Sequence, residues 1–269
     1  MDMIFCPLSS GSSGNALFVQ YGRTRLLVDA GKPGRTILGA LEMIGVDPVT
    51  LSAILITHEH SDHIAGAGVL CRKLNVPVYA TEGTWRAMAG KVGHIPDGCR
   101  REFDKQCDFY VGDLGVIPFA TSHDAADPVG YRLCGGGISL SVATDLGYFS
   151  KAVKQAVGGS SLVLLESNHD PDMLRQNPHY SSALKQRILG NRGHLSNEAC
   201  AEALVQLADT GVRHVVLGHL SGENNTPELA MAVNARRARM EGIRLGSDMR
   251  LDVARRDTVG DVYTLREGA

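Results

Sequence analysis

The sequence predicts one domain of mixed α/β or α+β class, in which stacked β-sheets carry helices on their outer faces. Short runs of β-branched and apolar residues, closed by Gly, Asp or Pro, alternate with segments of helical periodicity. Consecutive strands joined by hairpin-like turns dominate the first half of the chain, and strand–helix units follow in the second. No low-complexity linker or charge block divides the 269 residues, so we expect a single domain over residues 1–269.

The predicted strands are short and rich in Val, Ile, Leu and Thr, as buried strands are. In chain order they cover residues 3–8, 16–21, 24–31, 53–57, 76–81, 109–121, 130–135, 137–145, 161–167 and 212–218.

Helices are predicted where apolar residues recur with a period near 3.6. They cover residues 35–44, 62–74, 84–91, 149–157, 181–189, 197–209 and 227–240. Two of them have clear starts. Ser196 precedes an apolar-periodic run, and Thr226 stands before Pro227, which suits the first helical position.

Composition and charge limit the function classes. The net charge is −2, so the molecule as a whole does not attract nucleic acid, and such binding needs a local basic surface. The six cysteines form no CxxC pair, and free thiols in apolar runs suit a reducing compartment. With no signal peptide and no apolar run of membrane-spanning length, we expect a cytoplasmic protein without a membrane partner.

A cluster of metal-binding residue types follows the predicted strand 53–57. His58, His60, Asp62 and His63 fall within the six residues HEHSDH. His58 and His60 are two positions apart, so an extended segment points them the same way. Imidazole and carboxylate together suit zinc, iron or manganese. Coincidental histidines in a polar loop are the alternative, and the spacing makes it the weaker one.

Three further candidates close predicted strands. His123 follows IPFATS, Asp145 ends SVATD, and His219 ends VVLGH. Binding residues collect at strand ends and in the loops that follow them. Each residue taken alone suits a turn or a polar surface, but the three together with HEHSDH favour a metal site.

HEHSDH resembles the HxHxDH signature of the metallo-β-lactamase superfamily, and the later His, Asp and His fit that superfamily's order of motifs. The resemblance implies an α+β fold, the αββα sandwich of two mixed sheets packed face to face with helices on both outer faces. It also implies two divalent ions (Zn, Mn or Fe). One would be held by His58, His60 and His123 and the other by Asp62, His63 and His219, with Asp145 bridging.

Further motifs resemble the YycJ/WalJ branch of this superfamily, which is related to the RNase Z and PhnP phosphodiesterases. They are SGSSGN, SVATDLG, ESNHD, GHLSN and GHLSGENN. The resemblance implies a metal-dependent nuclease of the 5′-to-3′ DNA exonuclease type that attacks with a metal-bound hydroxide. Its partner would be nucleic acid, DNA in the first place, and a homodimer is compatible with it.

Catalytic and substrate-binding residues are also expected near the metal site. Asp62 is expected to bind metal and orient the nucleophile. His194, in GHLSN, is expected to act as general acid, the alternative being a polar residue beside the helix cap Ser196. RNase Z orients the equivalent histidine with a glutamate where this chain has Val142, and Glu166 is a substitute. Substrate contacts are expected from Ser12 and Asn15, in a Gly-rich turn whose backbone N–H groups could face an anion, although a plain hairpin turn is the alternative. They are also expected from Asn168 and His169 after a strand end, where an Asx turn with a surface histidine is the alternative, and from Ser221 and Asn224 in GHLSGENN.

Other functions remain open at this stage. A PhnP-like cyclic phosphodiesterase and a thioester or lactone hydrolase share the same metal site. A di-iron redox protein also uses this fold, because a fold does not dictate chemistry. A non-catalytic binding protein on a hydrolase scaffold typically lacks ligands, whereas every expected ligand is present here.

Overall fold

The computed structural model describes residues 1–267, and within them the strands form two seven-stranded sheets. The first sheet contains β1 (Met3–Ser9), β2 (Ala16–Tyr21), β3 (Thr24–Val28), β4 (Ala53–Leu55), β5 (Val78–Thr81), β6 (Arg100–Phe103) and β14 (Tyr263–Leu265). The second contains β7 (Phe109–Val111), β8 (Leu114–Ala120), β9 (Val129–Gly135), β10 (Ile138–Ala143), β11 (Leu162–Glu166), β12 (His214–Gly218) and β13 (Arg250–Val253).

Each sheet is half antiparallel and half parallel. The strand orders are β14-β1-β2-β3-β4-β5-β6 and β13-β12-β11-β10-β9-β8-β7. Pairing is antiparallel from β14 to β3 and from β7 to β10, and it is parallel from β3 to β6 and from β10 to β13. The strands β3, β4, β10, β11 and β12 therefore carry their carboxyl ends into loops that can share one edge of the molecule.

The helices follow the strands in chain order. They are α1 (Gly34–Met43), α2 (Ser61–Ile64), α3 (Ala67–Leu74), α4 (Glu82–Met88), α5 (Lys151–Val157), α6 (Pro171–Gln176), α7 (Ser182–Leu189), α8 (Asn197–Ala208) and α9 (Pro227–Met240). Within residues 1–267, none of these helices has the length and apolar character that a membrane crossing requires.

Three apolar layers hold the fold together, and strand alternation produces them. In β3, Leu26 and Val28 point into the layer between the sheets, while Leu27 points outward under α1 and α3. In β11, Leu164 points between the sheets and Leu165 points outward under α5, α8 and α9. Because successive side chains alternate across a strand, each sheet buries both faces. The expected sandwich of two sheets with outer helices is confirmed.

Several predicted bounds were wrong in detail. The strand predicted over residues 109–121 is two strands, because Gly112 adopts a φ of 54° and turns the chain between β7 and β8. The helix predicted over residues 62–74 is broken at Gly66, where a Cβ would lie 2.4 Å from the Lys32 carbonyl oxygen. Three strands, β6, β13 and β14, and helix α6 were not predicted.

Candidate metal centre

The polar residues that close the apolar strands meet at one edge of the two sheets. His58 follows β4, and its partners come from the second sheet: His123 after β8, Asp145 after β10 and His219 after β12. Glu166 is the last residue of β11. All are at most 3% exposed. The loops at this edge therefore bring together side chains that lie far apart in the sequence.

Donor atoms from these residues lie close enough to share metal ions. Among residues 1–267, four groups have potential ligand atoms that all lie within 4.8 Å of one another. The groups are His58, His60 and His123; Asp62, His63 and His219; His58, His63 and Asp145; and Asp145, Glu166, His194 and His219. All seven residues expected as ligands from the sequence occur in this one cluster.

Asp145 lies between the two groups of histidines. Its Oδ1 is 3.4 Å from His123 Nε2, and its Oδ2 is 3.4 Å from His63 Nε2. Those two nitrogens belong to different groups of donors. The carboxylate is thus placed so that each oxygen faces one group, which is the geometry a bridging ligand requires.

Three histidines of the cluster are oriented through their Nδ1 atoms. Each of these atoms faces an oxygen that can only accept: Asp29 Oδ2 at 2.8 Å from His63, the Gly193 carbonyl at 3.0 Å from His123, and Glu166 Oε1 at 2.7 Å from His219. A ring that donates through Nδ1 directs Nε2 toward the centre, where the neutral imidazole offers a lone pair.

Several atoms that face the centre have no hydrogen-bond partner among the described residues. His58 Nε2, Asp145 Oδ2 and His219 Nε2 are buried without a hydrogen bond. Leaving such a group unpaired costs about 1–3 kcal/mol, so three at one place indicate a missing binding partner. Divalent cations take imidazole nitrogens and carboxylate oxygens as ligands, so cations bound at this centre would satisfy these atoms. The cluster is suited to divalent metal binding.

Asp29 supports the cluster from behind and was not singled out from the sequence. Its Oδ1 accepts a hydrogen bond of 2.8 Å from the Thr57 backbone N–H, and its Oδ2 lies 2.9 Å from the Thr57 hydroxyl. The same hydroxyl lies 3.0 Å from His58 Nδ1. Asp29 therefore orients His63 directly and His58 through Thr57. The available sequence signal was its place at the end of LLVD, the rule that identified Asp145.

The backbone of the centre is strained. Asp29, Asp145 and His219 have φ angles of 62°, 58° and 55°, in the left-handed region that favours glycine. Such a conformation costs on the order of 1–3 kcal/mol in a residue other than glycine, and it persists where the surroundings enforce it. Asp29 and His219 directly follow β3 and β12, and Asp145 follows β10 after one residue, so each turn lies where a strand ends at the centre.

The charges of the centre are strongly coupled. Burial would lower the pKa of His219, but the charge of Asp145 and the nearby carboxylates of Asp62 and Glu166 outweigh it and raise this pKa to about 10. Burial would raise the pKa of Asp145, yet His219 and His63 hold it well below the usual range. Burial lowers the pKa of His58, and the charge of His63 lowers it further. Asp145 is therefore ionised and His58 is neutral at neutral pH.

His194 lies next to the cluster and pairs with Glu166. Its Nδ1 is 2.8 Å from Glu166 Oε1, and its side chain is 22% exposed. Burial would lower the pKa of His194, but the charge of Glu166 and the hydrogen bond to it raise this pKa above 6.5. The cap of α8 is Ser196, which accepts from the Ala199 N–H. Val142, buried between the sheets, takes no part in this contact.

A cavity of about 360 Å³ opens onto the centre. The lining includes His60, Asp62, Asp145, His194 and His219. Of the residues expected to contact substrate, Ser12, Asn168 and Ser221 also line it. These three come from loops after β1, β11 and β12, so separate parts of the chain frame the opening.

The other three expected substrate contacts are not among the lining residues. Asn15, His169 and Asn224 are 3%, 1% and 1% exposed. Asn15 Nδ2 lies 3.2 Å from His63 Nε2, and Asn224 Oδ1 accepts a hydrogen bond of 2.7 Å from Asn177. Both ring nitrogens of His169 lack a hydrogen-bond partner in the described chain, and burial lowers the pKa of His169 to about 4.

Comparison with known proteins matches residues 24–220 to the beta-lactamase superfamily domain. The chain is 41% identical over 230 residues to the exodeoxyribonuclease YycJ of Bacillus anthracis, covering 86% of this chain and 87% of the relative. It is 40% identical over 246 residues to the exodeoxyribonuclease WalJ of Streptococcus pneumoniae, covering 91% of each.

Solved structures share the fold at low sequence identity. The metallo-β-lactamase fold protein YhfI of Bacillus subtilis superimposes with a TM-score of 0.72 at 14% identity, covering 97% of this chain and 99% of the other. The short form of human tRNase Z gives a TM-score of 0.63 at 16% identity, with 99% and 100% covered.

Proposed function

Because the chain belongs to the beta-lactamase superfamily, and within it to the branch of YycJ and WalJ, we propose that it is a dinuclear metal-dependent 5′-to-3′ DNA exonuclease. The observation that carries this proposal is the identity of 40–41% with two exodeoxyribonucleases over 86–91% of the chain. The cluster of histidines and carboxylates that suits divalent cations supports it.

Two cations would be held by two sets of side chains that share one carboxylate. His58, His60 and His123 would hold the first cation, and Asp62, His63 and His219 would hold the second, with Asp145 between them. The 4.8 Å grouping of donor atoms and the unpaired Nε2 atoms of His58 and His219 support this assignment. Zinc, manganese and iron all accept imidazole and carboxylate ligands.

Such cations lower the pKa of a water molecule and offset charge on a phosphoryl group. The side chains supply the rest of the chemistry. Asp62, at the cavity wall, would orient the attacking water. His194 would donate the proton on Nε2 to the departing oxygen, because Glu166 holds its Nδ1–H.

Substrate panels test the proposal directly. The purified protein is loaded with Mn or Zn and offered single-stranded DNA, duplex DNA, RNA, a cyclic nucleotide and a thioester. We expect a 5′ label on DNA to leave early as a short product and a 3′ label to remain on a shrinking strand. Turnover of the thioester alone would contradict the nuclease assignment. Turnover of RNA alone, or of the cyclic nucleotide alone, would replace DNA with that compound as the substrate.

Matched variants connect this activity to the metal cluster. Asp145→Ala removes the carboxylate shared by both donor sets, so it should lose bound metal and turnover together. His94 is an exposed histidine in a loop outside the cluster, and His94→Ala should behave as the unaltered protein. The substrate preference for DNA, a homodimer and a cytoplasmic location stay predictions that this panel, sedimentation and localisation can each test.

A further inference from the structure

Helix α7 has no fully buried residue, yet it forms one wall of the metal cavity. None of its residues, Ser182–Leu189, is buried, while Leu184, Arg187 and Ile188 line the cavity. The neighbouring α8 and α9 each bury several side chains in the outer layer. Core packing therefore does not explain why α7 lies over the cavity. We attribute its position to the side chains that it presents to the cavity.

Arg187 is oriented by a carboxylate next to the metal centre. Its Nε donates to Asp124 Oδ2, and Asp124 Oδ1 lies 3.5 Å from His123 Nε2. The side chain of Arg187 is 55% exposed, and its two terminal amino groups donate to no other residue in positions 1–267. The guanidinium is thus held from one side and can bind an anion with the other.

Arg187 is the one permanent cation on an acidic wall. Asp62, Asp124 and Asp145 line the cavity, and within the described chain no other arginine or lysine lines it. Divalent cations would offset the carboxylates at the centre. Among the residues that line the cavity, Arg187 is the one permanent cation with which a phosphate away from that centre could pair, and the planar guanidinium suits phosphate oxygens.

Basic clusters elsewhere do not replace this residue. Arg237 pairs with Glu202 and Glu241, and Arg244 pairs with Asp248. These arginines do not line the cavity. Moreover, an exposed ion pair such as Arg187–Asp124 contributes little to stability. Because stability does not explain the pair, its location at the cavity favours a role in binding an anion.

We propose that Arg187 binds a phosphate of the DNA strand next to the scissile bond, and that Asp124 is its positioning residue. This inference rests on the nuclease function proposed above and identifies how the same cavity recognises its substrate. Arg187 would hold the phosphate equally before and during reaction. Its loss should therefore raise KM more than it lowers kcat.

The test compares Arg187→Ala with Lys185→Ala, which removes the same charge from the same helix at a position outside the cavity lining. Arg187→Ala should weaken binding of a single-stranded oligonucleotide by roughly tenfold, and the slope of log affinity against log salt should fall by about one. Lys185→Ala should change both quantities little. Arg187→Lys should recover part of the affinity, because it restores charge without the planar fork.

Uncharged replacements of single DNA linkages identify which phosphate Arg187 contacts. A methylphosphonate placed at each linkage in turn should weaken binding to the unaltered protein at one position near the cleaved end. The same replacement should not weaken binding to Arg187→Ala further, since the two changes remove one contact. Asp124→Asn should show the same position dependence with a smaller loss.

The outcomes separate the two proposals. If the unaltered protein degrades DNA but Arg187→Ala and Lys185→Ala share its KM, salt slope and methylphosphonate profile, the assignment of Arg187 is overturned and the nuclease function stands. If the metal-loaded protein neither binds nor degrades any DNA, both proposals fall. Matching unfolding temperatures and metal contents show that the variants differ only at this contact.

Discussion

Glu166 connects two histidines of different expected roles through one carboxylate oxygen. Its Oε1 lies 2.8 Å from His194 Nδ1 and 2.7 Å from His219 Nδ1, while Oε2 accepts from the backbone N–H groups of Leu146 and Leu195. Burial would raise the pKa of Glu166, but the charge of His194 lowers it to about 2. The carboxylate is therefore ionised at neutral pH and can hold both rings.

Replacing Glu166 should shift the pH dependence of turnover. A general acid works while protonated, so activity should fall as pH rises through the pKa of His194. Glu166 raises that pKa, and Glu166→Gln should lower it, so the decline should begin at a lower pH. The measurement is kcat against pH, expressed per metal-loaded molecule, because His219 also loses the charge of its partner.

His194→Ala is the control for this shift. It should retain metal and lose about 10²–10⁴-fold in kcat, the usual contribution of a general acid. The alkaline decline assigned to His194 should vanish with it. Full turnover in His194→Ala, or an unmoved decline in Glu166→Gln, would contradict the assigned role.

Asp29 offers a second test at single-residue scale. Asp29→Asn keeps the side-chain shape and tolerates the left-handed backbone, but it removes the carboxylate that faces His63 Nδ1. Loss of a partner that orients a ligand typically costs 10–100-fold in metal affinity. Metal titration should show this loss, while Asp172→Asn, at an exposed carboxylate, should bind metal normally. Equal affinities would refute a supporting role.

The sequence located the cluster because its residues obey a local rule. His123, Asp145 and His219 each close an apolar run, which can be recognised without knowing the fold. Asp29 obeys the same rule, but the resemblance gave it no role. No local sequence rule identifies Arg187, because its contact with Asp124 depends on how α7 packs over the cavity.

At the scale of elements, the junction between α7 and α8 depends on a close backbone approach. A Cβ on Gly193 would lie 2.1 Å from the Ile188 carbonyl oxygen, which accepts a hydrogen bond of 3.0 Å from the His194 N–H. Gly193→Ala should therefore push the junction apart. We expect a loss of about 1–3 kcal/mol in the free energy of unfolding and reduced turnover, because His194 follows directly.

Gly39 provides the matched control. It lies within α1, and a Cβ there would meet nothing within 4 Å. Gly39→Ala should stabilise the protein by about 0.4–1 kcal/mol through the unfolded state. Denaturant unfolding should give opposite signs for the two variants, and a neutral Gly193→Ala would show that the junction is not tightly packed.

The strands missed from the sequence share one physical property. β6 and β14 are the two edges of the first sheet, and β13 is an edge of the second. β6 (Arg100–Phe103) begins with two arginines and is largely exposed. Edge strands carry charge and pack on fewer neighbours, so the apolar pattern that revealed the buried strands is absent from β6, whereas β14 buries Tyr263 and Leu265 but is only three residues long.

At the scale of the whole molecule, periodicity predicted stacked sheets but not how they pair. Interior strand β11 (Leu162–Glu166) is apolar on both faces, because helices cover one face and the other sheet covers the second. Alternation in such a strand therefore carries no information on its pairing partners, and the family resemblance implied the sandwich of two mixed sheets but no strand order. The single domain over residues 1–269 stays a prediction.

Metal binding should be coupled to proton release across the whole centre. Without metal, His219 has a pKa of about 10, and the charges around His63 raise its pKa well above 6.5. Both rings are therefore protonated at pH 7, and a cation must displace the proton on Nε2. In the metal-free protein, the stability contributed by His219 is complete below pH 6.5 and is lost as pH rises through 10.

Titration with zinc or manganese at pH 7, in buffers of different ionisation enthalpy, measures this release. We expect at least one proton per protein molecule, since ligation requires neutral imidazole, and His219→Ala should release fewer. Protons compete with the cations for the imidazole nitrogens, and this competition weakens as pH rises. The rise in unfolding temperature on adding metal should therefore grow from pH 6 to pH 9. Heat changes independent of buffer, together with a metal effect that does not vary with pH, would mean that the cations bind elsewhere.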